Sequence, residues 1–299
     1  TTKVTIRNSL NVGLVDAPCK LGFGSIAGYK LDNTTLILEN CYATEESCAN
    51  GYQGGKGTLV GNVYRKDAAD LSGYMAYEWT FLDFEKYWAV VDGGTPILKS
   101  FATNVPSVAG HERKINIDWY KEKSKTYTLN TPEELYGFYH MSYMTDFEGK
   151  TVRLGKDITV NTGNAADWQS AAPSAPWYAI RDFAGTFDGQ GHTISGIYMK
   201  TDVKGAGLFA KTTPSATLKN FELKNSYVET TRTSASQTGS VVGIAQGTID
   251  TVYSNAIVVG NNYVIGGVIG DITSKEKVVV SNCWYDGTMK IGDKGGYIG

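Results

Sequence analysis

The chain has very little histidine, little proline and no run of positive charge, and each shortage removes a class of function. There are 3 histidines among 299 residues; His111 and His140 stand alone, too few to assemble a metal site or a Ser/His/Asp set. The 28 basic residues are outnumbered by 30 acidic ones, for a net charge of −2, and no basic cluster exists. The electrostatic footprint that sequence-independent nucleic-acid binding needs is therefore missing. No stretch of 18 or more apolar residues occurs, which excludes a membrane-spanning helix. Gly110-His111-Glu112-Arg113 is not the His-Glu-x-x-His motif of a metalloprotease. Cys19, Cys41, Cys48 and Cys283 include no Cys-x-x-Cys pair, which argues against zinc. Cys41 and Cys48 flank a polar loop and either bridge it or stay as free thiols. No cofactor motif is present. The opening segment Thr1–Ile6 reads as strand instead of leader peptide, so the expectation is a processed chain or a piece of a longer one.

What the chain has in excess is glycine, 35 residues against 7 prolines, and the glycines recur in a pattern. Short Gly-aliphatic-Gly turns occur at Gly24–Gly28, Gly57–Gly61, Gly239–Gly243, Gly266–Gly270 and Gly295–Gly299, spaced 33, 27 and 29 within each half. Strands ending in Asn8, Asn40, Asn225, Asn255 and Asn282 run beside them, spaced 32, 30 and 27. Two tracks with one period mean one structural unit copied in tandem. Val4–Asn8 and Phe221–Asn225 alternate apolar and polar, as half-buried strands do. Such repeats are too short for strand-helix-strand crossovers and shorter than a propeller blade. They suit the coils of a parallel β-helix, with an apolar lumen and asparagine amides stacked coil on coil.

The middle breaks the pattern. Residues 101–126 carry no repeat and end in the charged run Tyr120–Lys125. Then Thr131-Pro132-Glu133-Glu134-Leu135 has a helix N-cap, a proline at the first helical position and a capping-box glutamate. Leu135, Phe138 and Tyr139 fall on one face, which predicts an amphipathic helix through Met141 lying over the open end of a solenoid.

The helix, Gly149–Leu154, the run Gly185-Thr186-Phe187-Asp188-Gly189-Gln190-Gly191-His192-Thr193-Ile194-Ser195-Gly196, and Gly207-Leu208-Phe209 together resemble bacterial surface proteins built from GLUG-type repeats. Gly266–Gly270, Ser281-Asn282-Cys283 and the terminator-like Trp88–Leu98 share the likeness, which covers most of 1–100 and 127–299. The resemblance implies an all-β, right-handed parallel β-helix with a short capping α-helix, on a bacterial exterior. It supplies no catalytic residue. Such proteins place the cap first and the terminator last. Here residues 1–100 look like the end of one unit, 101–126 like a linker, and 127–299 like a helix-capped start. The expectation is a fragment of a longer array, or head-to-tail self-association in which the front coils complete the rear ones.

Asp188 and His192 invite a catalytic reading, but the glycines around them imply tight turns, with Asp188 bonding turn amides. A β-helix lyase or glycosidase needs carboxylates gathered on one face; Asp67, Asp70, Asp83 and Glu85 are the candidates, with solvated loop acids as the plainer reading. The aromatics offer a binding reading. Trp79 and Trp88 lie in one aromatic stretch, and Trp168, Trp177 and Tyr178 flank a polar insertion at 161–178. Such rings stack on sugars or anchor a protein partner, or else fill coil corners. The sequence therefore predicts a non-catalytic extracellular module, an adhesin, stalk or ligand-binding scaffold. Its partner is a host or environmental glycan or protein, presented to the loops at 42–56 and 161–178. It inserts in no membrane and binds no nucleic acid. The alternative is a carbohydrate-active β-helix enzyme or the flank of a large surface protease.

Overall fold

The computed structural model describes residues 2–14, 25–27, 33–44, 58–66, 68–232, 236–260, 264–272 and 278–291. Cys19, Cys48, Asp67, the Gly295–Gly299 turn and most of the 42–56 loop lie outside the described residues. The chain forms two compact units, Thr1–Ile115 and Asn116–Gly299. The unpatterned stretch 101–126 is divided between them. Lys114 donates its backbone amide to Glu78 in the first unit, and Asn116 donates its own to Glu133 in the second. Among the described residues two short α-helices and a few 3-10 turns accompany mostly short strands, stacked in parallel as the coils of a β-solenoid.

In the first unit Thr2–Arg7, Thr34–Thr44 and Thr58–Lys66 pair in parallel. Their inward residues Leu36, Leu38, Cys41, Ala43 and Val63 form the core. Cys41 carries a free thiol, and burial pushes its pKa up, so it behaves as a small core hydrophobe. Helix α1, Gly73–Glu78, has no side-chain cap and no periodic signal, which is why the sequence does not reveal it. Trp88–Val91 and Gly94–Leu98 then close the unit as an antiparallel hairpin. Its turn is Asp92-Gly93, and Gly93 has φ 62°, the left-handed geometry that tight hairpin turns require.

The second unit repeats by register. Tyr127, Val152, Phe187, Leu218 and Ile249 stand in one column of successive coils, all buried. One residue on, Arg153, Asp188, Lys219 and Asp250 form an outward column of alternating charge, so each coil meets an opposite charge on its neighbour. A second face stacks Tyr198–Thr201, Tyr227–Thr230, Ile257–Gly260 and Thr288–Ile291, and a third Phe209–Lys211, Val242–Ile244 and Ile269–Asp271. The glycines align with them: Gly239 pairs with Gly266, and a Cβ on Gly239 would lie 2.5 Å from the Val242 carbonyl oxygen.

Helix α2, Pro132–Met141, covers the lumen. Thr131 Oγ1 accepts from the Glu134 amide at 3.2 Å, and Glu134 Oε2 accepts from the Asn130 amide at 2.6 Å. The capping box is thus reciprocal, displaced by one residue from its usual return contact. One expectation needs correction: the helix is not amphipathic in place. Leu135 through Met141 are all buried. The side turned away from the coils is covered by 116–119, where a Cβ on Gly137 would lie 1.8 Å from the Asn116 carbonyl oxygen.

The asparagine track also resolves differently, into two columns. Gln190, Asn220, Thr251 and Asn282 occupy successive coils at one corner with φ between 53° and 57°, the left-handed region that asparagine tolerates best. Asn225 and Asn255 belong to the next corner, where the Asn225 amide donates to Asn255 Oδ1 at 2.9 Å. At the first corner the carboxamides bond aspartates instead of one another: Asn220 Nδ2 donates to Asp188 Oδ1 and Asn282 Nδ2 to Asp250 Oδ1, at 3.1 and 2.9 Å.

Asp188 is buried and also accepts from the Gln190 amide at 3.1 Å and pairs with Lys219 at 3.4 Å. Burial opposes its charge, but the bonds from Gln190 and Asn220 and the Lys219 charge outweigh burial and hold its pKa below the usual carboxylate range. With the folded value depressed, the stabilisation is complete above the unfolded pKa of about 4 and is lost as pH falls through the folded value. Asp188→Asn is expected to cost about 1–3 kcal/mol at neutral pH. In urea titrations the gap from the parent should close on acidification; a gap constant with pH would refute the assignment.

Candidate functional site

Among the described residues of the second unit, an open aromatic ring stands on the outward column just before the second corner's asparagines. Thr193, Glu222, Tyr253 and Trp284 pair across successive coils. They face outward because their neighbours Ile194, Leu223, Val252 and Ser254 are buried. The column is tied together laterally. Thr193 Oγ1 donates to Glu222 Oε2 at 2.9 Å, and Lys224 Nζ pairs with the same carboxylate and lies 5.4 Å from the Tyr253 ring centre. The Lys224 bond holds the Glu222 pKa down. Tyr253 donates its hydroxyl to Asp286 Oδ1 at 2.6 Å and is raised in pKa by that bond. Trp284 stands edge-on to Tyr253, centroids 6.2 Å apart, and is 67% exposed.

Asp157 extends the same face. It accepts from the Thr193 amide at 2.9 Å and lies 3.1 Å from His192 Nδ1; the amide and then the imidazole lower its pKa. Beside this Asp-His pair the Thr193 hydroxyl is committed to Glu222, and the Ser195 hydroxyl bonds Thr159 at 3.0 Å. Among the described residues the arrangement supplies an internally paired surface with one largely exposed ring. It can stack on and hydrogen-bond a ligand.

The equivalent column of the first unit shows what covers such a surface. Counting from the left-handed Asn40, the same position is Tyr42, paired with Leu10 and stacked on Tyr64 at 5.0 Å. Both tyrosines are fully buried, and the Phe81 amide donates to the Tyr42 hydroxyl at 2.8 Å. Polypeptide lies over the column in the first unit; among the described residues nothing lies over Trp284.

The aromatic residues singled out from sequence sit elsewhere. Trp79, Trp88, Trp168 and Trp177 are all buried. Trp88 Nε1 donates to the Asn8 carbonyl at 3.1 Å, and Trp177 Nε1 to that of Leu208 at 3.3 Å. Trp168 packs with Ala165, Tyr198, Tyr227 and Val259, so the 161–178 insertion lies against the second face of the solenoid. Tyr178 is partly exposed and stacks on Tyr139, centroids 5.3 Å apart. Large rings drawn onto the flank of a narrow solenoid are the cheapest way to bury its outer face, which explains their placement. Of the carboxylates, Asp70 is buried, while Asp83 and Glu85 stand together at one cleft of the first unit. Trp284 was missed because nothing in a lone Cys-Trp-Tyr distinguishes the outward residue. Its register with Glu222 and Tyr253 is the signal.

No protein-family model matches the chain, and no solved structure matches it significantly. Among curated proteins it is similar to halomucin of Haloquadratum walsbyi, 29% identical over 133 residues. That stretch is 44% of this chain and 1% of halomucin, so the chain spans a very small part of that protein's length.

Proposed function

We propose that the chain is a non-catalytic solenoid module of an extracellular or cell-surface protein, an adhesin-like or ligand-binding segment that meets its partner on the Trp284 face. The observation that carries this is the open column itself: four outward side chains in register, fixed by their own bonds and ending in an exposed indole, at a position that the first unit covers with polypeptide. The parallel β-solenoid, the similarity to a stretch of halomucin and the resemblance to GLUG-type surface repeats support the same reading. The partner is a glycan or a protein, and an indole serves either by ring stacking. Among the described residues no helix is long and apolar enough to cross a membrane.

The test is binding of the purified chain to arrayed glycans and to an extracellular-protein panel. Trp284→Ala should weaken the binding of at least one ligand tenfold or more, about 1.4 kcal/mol, with an unchanged circular dichroism spectrum. If no ligand of either panel loses binding in this variant, the assignment of this face fails, and depolymerisation of any glycan sinks the non-catalytic reading.

A further inference from the structure

The first unit contains an open cleft of about 630 Å³, lined among others by Asn8, Asn40, Tyr77, Phe81, Asp83 and Arg113. That is the size of a small-ligand site. Its floor is made by two asparagines at one corner of adjacent coils, with φ 50° and 51°. Adjacent strands of a sheet lie about 4.8 Å apart, so two carboxamides are presented side by side at that spacing. In the second unit the same corner's carboxamides are committed to Asp188 and Asp250 of the preceding coil. In the first unit the residue at the position of those aspartates is Arg7, which pairs with Glu39 and accepts no hydrogen bond. Among the described residues neither the Asn8 nor the Asn40 side chain has a hydrogen-bond partner. Each therefore offers two donors and an acceptor to whatever enters.

The walls are tied together by their own contacts. Arg113 lies over the Tyr77 and Phe81 rings, 4.9 and 5.4 Å from their centres. Its guanidinium donates to the Thr80 carbonyl and to that of Leu82 at 3.0 Å. The Phe81 amide is held by Tyr42, and the Asn8 carbonyl by Trp88. At the rim Asp83 Oδ1 accepts from the Lys86 amide at 2.8 Å, and Glu85 is exposed beside it.

These groups select by charge and by hydrogen bonding. The lining carries two carboxylates, Asp83 and Glu85, against two cations, Lys86 and Arg113, the guanidinium of the latter committed to backbone carbonyls, so it offers an anion no net attraction. An extended peptide needs free main-chain groups on the floor, and the Asn8 amide and carbonyl are both bonded, to Glu39 and Trp88. What the lining offers is a pair of neutral carboxamides without partners among the described residues, carboxylate acceptors, and two aromatic rings that pack under Arg113. That set is complementary to a ring with an apolar face and several hydroxyls. We infer that this cleft binds a neutral oligosaccharide, with Asn8 and Asn40 pairing to its hydroxyls and Tyr77 and Phe81 packing against its rings. The inference does not depend on the Trp284 face.

Calorimetric titration of the full chain with neutral oligosaccharides (gluco-, xylo-, manno- and galacto-series) and with acidic ones (oligogalacturonate, sialyllactose) tests it. Saturable binding of at least one neutral series is expected, with acidic ones weaker by tenfold or more. Asn8→Gly and Asn40→Gly delete the carboxamide while suiting the left-handed backbone, so the fold should survive. Each should weaken binding at least tenfold, as should Tyr77→Leu, and Trp284→Ala should leave it unchanged. No neutral binding, tighter acidic binding, or binding untouched by both glycine variants overturns the inference. Neutral-sugar binding lost only in Trp284→Ala also overturns it, while leaving the Trp284 reading in place.

Discussion

Phe138→Ala is expected to destabilise the second unit by about 3–5 kcal/mol, the cost of emptying a fully enclosed phenyl site. Phe138 is completely buried. It stacks on Phe187 at 5.9 Å and meets Phe147, Phe183 and Phe209 edge-on at 5.0, 5.5 and 6.1 Å. Phe187 belongs to the inward column of one solenoid face and Phe209 to another. One side chain of the lid therefore joins two walls of the lumen. The neighbours come from four separate segments, two of them strands of different faces, and collapse poorly into the hole, which places the cost toward the upper part of the range. The loss should appear as a lower urea midpoint by far-ultraviolet circular dichroism, with the slope unchanged. A shift worth less than about 1 kcal/mol, the usual effect of an average substitution, would mean that α2 rests on the solenoid without sealing it.

The lid and the coils were legible because their signals are local. Thr131, Pro132 and Glu134 state a helix start in four residues, and Phe187, Leu218 and Ile249 recur at a fixed interval with turn glycines between them. What sequence cannot state is which coil position faces another part of the chain. Leu135–Met141 read as one apolar stripe, yet Asn116–Trp119 return over the other side and bury the whole helix. Asn282 looks like a continuation of Asn225 and Asn255 because the interval is similar. It falls at a different corner, since the left-handed site and the next turn are only four or five residues apart, as at Thr251 and Asn255 or Asn220 and Asn225. Trp168 and Trp177 look presented by a polar loop, but Asn161 clasps the Ala175 amide and carbonyl and Asn225 takes the Ala165 amide, and the insertion folds back with its indoles inward. The cleft residues are equally hidden. Tyr77, Phe81 and Asp83 read as one aromatic-rich stretch, and their meeting with Asn8 and Asn40 is purely tertiary.

The same insertion explains why Gly196→Ala should be among the most damaging single-methyl changes in the chain. Gly196 has φ 78°, and a Cβ there would lie 2.1 Å from the Asn161 carbonyl oxygen and 2.4 Å from its nitrogen. Two costs add: about 1–2 kcal/mol for a left-handed alanine and about 1–3 kcal/mol or more for forcing backbone out of a packed site. Asn161 cannot yield quietly. Its Nδ2 donates to the Gly196 and Ala175 carbonyls, both at 2.8 Å, and its Oδ1 accepts from the Ala175 amide at 3.2 Å. Moving it undoes the clasp that closes the 161–178 insertion and lets water reach Trp168 and Trp177. Gly191 supplies the control, with φ 83° and nothing within 4 Å of where a Cβ would sit. Gly191→Ala should show the conformational cost alone. Gly196→Ala should therefore lie at least about 1 kcal/mol below Gly191→Ala, with red-shifted tryptophan emission and new proteolytic cleavage within 161–178. Equal midpoints for the two variants would show that the coil and the insertion do not meet backbone to backbone, and that Trp168 and Trp177 owe their burial to something other than the Asn161 clasp.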